Sequence, residues 1–415
     1  MRIVRGRSIA HEVAKLANRR LLFSADTERA VARIINDVCK NGDTALRRYA
    51  KKWDGLAPKQ SLRVSENELK SALASIPSNL RHALETAAHN IRKFAEWQKP
   101  QEFTKEIQSG LCVGQIIRPI DSVGCYVPGG RYPLPSSLLM TVIPAQVAGV
   151  ARIVVCSPRP AQETLAAAAL VGVTEFYRAG GAQAIAALAY GTKSITAVVK
   201  IVGPGNRFVT TAKKLVSFDC AIDMLAGPTE AIVIAEDGDP AFWASDLIAQ
   251  AEHDPDTSVV FVTSKAALGQ QVAAELKVRS KTNAIARESL SHNGVIFVTN
   301  SRAESIEVAN AIASEHITLS RDQLGSLLSA GSIFLGPYSP QSLGDYAAGP
   351  NHVLPTAGAA RYRGGLSVLD YVKIITVQEV SREALVRIAP VVTTLAEAEG
   401  LQAHAESVRV RCSRA

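Results

Sequence analysis

The chain has 415 residues, 47% apolar and 5% aromatic, enough apolar length for a large core split over more than one domain. Its +8 charge is spread along the sequence, and the densest basic spots, Arg2 to Arg20 and Arg409 to Arg414, lack interleaved aromatics, which argues against a nucleic-acid partner. No run of about 18 apolar residues is available to span a membrane, and six cysteines without C-x-x-C spacing fit reduced thiols in a cytoplasmic protein.

Arg2 and Arg5 precede Ile9-Ala-His-Glu12, a segment too charged for the apolar core of a leader peptide. Residues 27–105 read as mostly helical. From there, short β-branched runs at 152–156, 173–178, 197–202, 230–235, 258–263, 294–299 and 332–335 predict strands. Ala-rich segments at 137–150, 163–171, 182–190, 206–217, 239–253, 264–278 and 303–313 predict the helices between them. This is the order of βαβ units, so the fold class is α/β with parallel sheets. Ile317-Thr-Leu319 begins a further strand, which puts Glu315 and His316 on a helix-to-strand turn. Adjacent side chains on a regular strand point to opposite faces, so this pair converges only from irregular backbone. Residues 381–411 form a helical tail interrupted at Pro390 and Gly400. Glu399 and His404 are five apart and would diverge on an ideal helix; a break at Gly400 brings them round.

Three glycine-rich turns, Gly129-Gly130, Gly180-Gly181 and Gly203-Pro204-Gly205, fall where a strand gives way to a helix. Free N–H groups at such helix starts can receive a pyrophosphate. Gly203-Pro-Gly-Asn-Arg-Phe208 carries Phe where the usual dinucleotide fingerprint has its third glycine, so the turn alone does not identify a cofactor. Cys156 is a second chemical possibility, because aldehydes can be oxidised through a thiohemiacetal on a nucleophilic cysteine. It follows Ala151-Arg-Ile-Val-Val155 and ends a buried strand, where thiols are inert.

Four distant stretches hold the side chains of one metal-assisted redox site: Gln250 with His253, Glu315 with His316, Asp345 with His352, and Glu399 with His404. Imidazole, carboxylate and an amide oxygen make a mixed N/O zinc set from Gln250, His253, Asp345 and His404, leaving Glu315 and His316 for proton transfer. Gln250 and His253 share a helix face. Spacing alone does not separate them from an ordinary solvated pair, and Glu399 alone reads as a solvated carboxylate.

QAEHDPD (250–256), SEH (314–316), GDYAAGPNHVLPT (344–356) and AEAEGLQAHA (396–405) resemble the histidinol dehydrogenase family. VGCYVPGGRYPLPSSLLM (123–140), GGAQAIAALAYGT (180–192), GPGNRFV (203–209) and IDMLAGPTE (222–230) extend the resemblance over nearly the whole chain. It implies zinc, one ion per subunit, on Gln250, His253, Asp345 and His404. The resemblance makes Glu315 and His316 the catalytic pair and adds substrate contacts from Ser136, Thr229, His352 and Glu399 to those of His316 and the zinc ligands. Tyr126, Gln183 and Asn206 would line an NAD site. The implied reaction oxidises L-histidinol through the aldehyde to L-histidine with two NAD reduced. The fold implied is two incomplete Rossmann-like domains: a catalytic one over 24–120 and 230–366, and an NAD-binding one over 121–229. A helical arm over 1–23 and a dimerisation domain over 367–415 complete it, in a homodimer whose sites are finished by the partner chain, so that His404 would act in trans.

Thr229, Ser314 and Gln341 depart from the family's usual Ser, Pro and Glu. Loss of a carboxylate at 341 would weaken a contact to the substrate's ammonium group if the usual Glu makes one. Ala313-Ser-Glu-His316, Gly130-Arg-Tyr132 and Gly358-Ala-Ala-Arg-Tyr362 also resemble sulfopropanediol dehydrogenases, whereas Tyr346 and the Ser339-Pro340 lead-in favour histidinol. A zinc hydrolase would need the metal and no NAD. A silent dinucleotide-binding protein would bind NAD(H) without turnover.

Overall fold

The β-branched runs assemble into two parallel sheets, and a third, antiparallel sheet joins segments from either side of them. The computed structural model describes residues 1–19, 24–129 and 132–413; Gly130 of the first glycine turn and the arm boundary near residue 23 lie outside these. In chain order the strands are β1 (Arg2–Arg5), β2 (Phe103–Gln108), β3 (Leu111–Pro119), β4 (Ser122–Tyr126), β5 (Arg152–Cys156), β6 (Glu175–Tyr177), β7 (Lys200–Val202) and β8 (Ala221–Ile222). They continue with β9 (Glu230–Ile234), β10 (Ser258–Thr263), β11 (Val295–Val298), β12 (His316–Leu319), β13 (Ser332–Leu335) and β14 (Val372–Val380).

One parallel sheet has the order β6-β5-β4-β7-β8 and the other β1-β11-β10-β9-β12-β13. With β1 set aside, both run third, second, first, fourth, fifth in chain order. Each therefore reverses direction beside its first strand, between β4 and β7 and between β9 and β12, where an open α/β sheet leaves a crevice. The fold class is α/β, as the alternation of runs predicts.

The helices Ala25–Trp53, Glu66–Ser75 and Ser78–Trp97 pack on the five-stranded sheet and its helices. Val31, Val38 and Leu46 share a core with Tyr126, Ile185 and Val209, and Leu69, Leu84 and Ile91 share one with Val123, Leu138 and Phe176. The resemblance grouped this stretch with 230–366; the second of these cores also takes in Val353 and Leu366, and Asn90 donates to Ala347 O at 2.8 Å. The N-terminal arm is helical only in part. Its β1 forms the edge of the six-stranded sheet, with Arg2 opposite Val295, and its Ser8–Ala17 helix buries Ile9 and Leu16 against Val308 and Ile312.

Two helical expectations need correction. The helix run ends at Trp97, and Phe103 already belongs to β2. Pro390 does not interrupt the tail, because the helix Arg382–Ala398 runs through it. The missing N–H denies the carbonyl of Val386 its usual helical donor, on a residue open to water. The expected break at Gly400 is present, with φ +76. All six cysteines are free thiols, and burial pushes Cys156 far above the ordinary thiol range. Among the described residues no helix is long and apolar enough to cross a membrane.

Candidate active site

A crossover helix carries the chain back to the edge where its strand began. The helix Pro240–Ala251 follows β9 and carries Gln250 in its last turn, beside the start of β12. There Gln250 Nε2 donates to Asp345 Oδ2 at 3.0 Å, while His316 Nε2 lies 3.4 Å from Asp345 Oδ1. The His316 ring stacks on Phe334 with centroids 5.9 Å apart. Its Nδ1 has no hydrogen-bond partner and sits 3.9 Å from Glu315 Oε2. Glu315 in turn accepts the backbone N–H of Glu230 at 3.1 Å.

The backbone before this pair is irregular, as convergence of neighbouring side chains demands. The helix Arg302–Ile312 stops at Ala313 in a left-handed conformation, φ +55, followed by Ser314 and Glu315 before β12 begins at His316. Both side chains of the pair are buried. Burial raises Glu315 to about 7, with Glu230 and Asp345 adding to the rise and His316 opposing it. Burial alone would lower His316, but the carboxylates of Glu315 and Asp345 hold its pKa above the ordinary value. Burial would raise Asp345, and its contact with His316, with His352 and His253 adding to it, brings its pKa below the ordinary value instead.

His352 places Nδ1 2.7 Å from the backbone oxygen of Asp345 and Nε2 3.2 Å from Ser137 Oγ. Desolvation lowers its pKa. A neutral ring donating from Nδ1 and accepting the serine hydroxyl satisfies both contacts. Sequence reading named Ser136 and missed Ser137, its neighbour on the helix Pro135–Ala148. Ser136 is buried there, and Thr229 immediately precedes β9. Gln341 Nε2 donates to Ile232 O and Thr318 Oγ1, bracing the Gln341–Tyr346 helix that presents Asp345, while its Oε1 is buried without a partner.

The site therefore gathers Gln250, Glu315, His316, Asp345 and His352, with His253 within electrostatic reach of Asp345. His253 has an exposed face, yet desolvation still draws its pKa down, favouring the neutral form a metal needs. Glu399 and His404 stand apart, exposed on the C-terminal helices. Gln250 Oε1 is fully buried without a partner, an orphaned acceptor that a cation would satisfy. With His253 and Asp345 it makes a borderline N/O donor set that suits zinc. Among the described residues, no three His, Cys, Asp or Glu side chains come together as a metal cage.

The other parallel sheet presents its C-terminal edge. Tyr126, the last residue of β4, accepts the N–H of Gly181 on its hydroxyl at 3.1 Å. Asp54 accepts from Gly180 N at 2.9 Å and Gln183 Nε2 at 3.1 Å. Tyr126 and Gln183 are both buried, so they brace the glycine turn from beneath. Across β7, Gly203 has φ +113, and a Cβ there would lie 2.1 Å from Tyr126 O. Asp223 accepts from Gly203 N at 2.8 Å and pairs with buried Lys213. Asn206 caps the next helix, its side chain accepting from Phe208 N and Val209 N. This close-set backbone ahead of a helix start suits a dinucleotide pyrophosphate. Sequence reading missed Asp54, Lys213 and Asp223, whose roles arise only from contacts made in the fold.

A sequence model of the histidinol dehydrogenase family matches residues 17–412. The histidinol dehydrogenase of Methanothermobacter thermautotrophicus is 45% identical over 414 residues, covering 96% of each chain. That of Photobacterium profundum is 46% identical, over 93% of this chain and 90% of its own. The crystal structure of the histidinol dehydrogenase from Elizabethkingia anophelis superposes with a TM-score of 0.94 at 36% identity, covering 99% of this chain and 98% of that one. With the family's sequence pattern and its fold both spanning almost the entire chain, this protein is an enzyme belonging to the histidinol dehydrogenase family.

Proposed function

We propose that the chain catalyses the zinc- and NAD-dependent oxidation of L-histidinol through L-histidinaldehyde to L-histidine, in histidine biosynthesis. The observation that carries this reading is a buried Glu315–His316 pair held against Asp345, which also meets the amide of Gln250. Bound zinc would hold and orient the nitrogen atoms of the substrate, and NAD would accept hydride. Gln250, His253 and Asp345 would hold the metal, with Ser136, Thr229 and His352 orienting the substrate. Tyr126, Gln183 and Asn206 would shape the cofactor edge.

His316 takes the hydroxyl proton in each oxidation, at the Nδ1 left without a partner. The aldehyde must be hydrated before it can lose a second hydride. Glu315, raised to about 7, is matched to deprotonating water near neutral pH. Glu399 and His404 serve the site of a second copy of the chain. Their exposure away from this cluster supports that reading, as do the exposed Ile374, Ile375, Val377 and Val380 on β14.

The deciding experiment gives purified, zinc-analysed protein L-histidinol and NAD and quantifies NADH and L-histidine together. Two NADH per histidine, lost on chelation and restored by zinc, is the expected result. No turnover by folded, metal-replete protein overturns the proposal and sends the test to sulfonated diols.

A further inference from the structure

Next to Glu315, bounded by its neighbour Ser314 and by Glu230, lies a small, mainly apolar cavity that the proposed chemistry leaves unused. Its volume is about 10 Å³, room for the centre of one water, and Arg19, Glu230, Ser258 and Ser314 line it among aliphatic side chains. Glu230 Oε2 and Ser314 Oγ are buried there without partners. Glu230 is 8% exposed and Ser314 0%. Buried oxygens in a cavity of this size are the setting in which an internal water is retained. Glu230 is anchored on its other side, with Oε1 accepting Ala357 N at 2.9 Å, and its backbone N–H is the donor that holds Glu315. Arg19 comes from the N-terminal arm, just beyond the Ser8–Ala17 helix, and lies within electrostatic reach of Glu230 and Asp256.

We propose that Arg19, Glu230 and Ser314, bridged by one buried water, form a positioning unit that sets Glu315 for aldehyde hydration. The N-terminal arm then takes part in shaping the active site. This rests on the role given to Glu315 above. The charged and titratable groups facing Glu315 are His316 on its own segment, Glu230 on β9 and Asp345 on the Gln341–Tyr346 helix; Arg19 and Arg361 face Glu230. Two neighbouring buried carboxylates raise each other's proton affinity, and Arg19 offsets that repulsion.

The test compares full-length wild type with Arg19→Met, Arg19→Lys and Glu230→Gln, measuring alcohol and aldehyde oxidation separately across pH. Arg19→Met is expected to slow aldehyde oxidation about tenfold while alcohol oxidation stays within about twofold, and Arg19→Lys to recover most of the loss. The acid limb of the aldehyde step should move to higher pH in Arg19→Met and to lower pH in Glu230→Gln. Opposite shifts are not a signature of lost packing. A crystal structure of the wild type, read independently of turnover, should show a water joining Glu230 and Ser314. Equal slowing of both steps, limb shifts in the same direction, or a dry cavity would overturn the unit. If wild type oxidises neither substrate, the functional reading falls, and the cavity water still decides the structural claim.

Discussion

Apart from β1, the two parallel sheets have the same strand order, and the proposed sites lie at opposite edges of them. Between β4 and β7 the useful groups lie where the strands end: Tyr126, the Gly203 turn and Asn206. Between β9 and β12 they lie where the strands begin: Thr229, Glu230, Glu315 and His316. A C-terminal edge offers helix starts with unpaired N–H groups, which suit phosphate. An N-terminal edge offers helix ends, whose side chains are free to carry carboxylates, amides and imidazoles into one pocket. On the proposed reading, the same topology would provide an anion cradle on one sheet and a donor cluster for a cation on the other.

If the edges divide the work this way, substitutions at one should leave the other intact. The largest effect is expected from His316→Asn, which should lower both oxidations about a thousandfold with zinc content unchanged, measured as NADH formed from alcohol and from aldehyde. His253→Asn should weaken zinc binding by more than about 100-fold, read by metal analysis after dialysis, with NAD affinity preserved. Glu315→Gln should slow aldehyde oxidation about 100-fold and spare the alcohol step. The group must be ionised to act and its pKa stands at about 7. Wild-type aldehyde oxidation should therefore fall as pH drops below about 7, and the Gln variant should keep only the acid limb that His316 gives to both oxidations. The smallest effect is at the other edge: Asp54→Ala should raise KM for NAD about tenfold while leaving zinc content alone. Zinc loss in that variant would join the two edges into one unit.

The parallel strands were legible because they are runs such as Ser258-Val-Val-Phe-Val-Thr263, buried throughout. The irregular turn at Glu315 and the break at Gly400 followed from residue type and period. β4 was harder to read, because Gly124 interrupts its apolar run; a Cβ there would lie 2.9 Å from Leu188, so packing rather than strand propensity selects the glycine. β2 and β14 are exposed along most of their length and carry no buried face to set an alternation. Within the site, residue types revealed the metal and proton-transfer candidates. The supports did not show, since Asp54 meets Gly180 across 126 residues and Ser137 differs from Ser136 only by its angle around a helix. Gln341 stood out in the sequence only as the loss of a family carboxylate, and its tie between a helix and the sheet was not legible there.

β1 has one neighbour, β11, and Arg2 waits for Val295. On a ribosome the first strand is therefore made roughly 15 to 60 s before its partner at ordinary elongation rates. During that interval all five strands of the other parallel sheet, from Ser122 to Ile222, leave the tunnel and can close on themselves. Glu315 and His316 follow later still. Residues made ahead of the five-stranded sheet are thus among the last to find their place, and they arrive with the edge that carries Glu315 and His316.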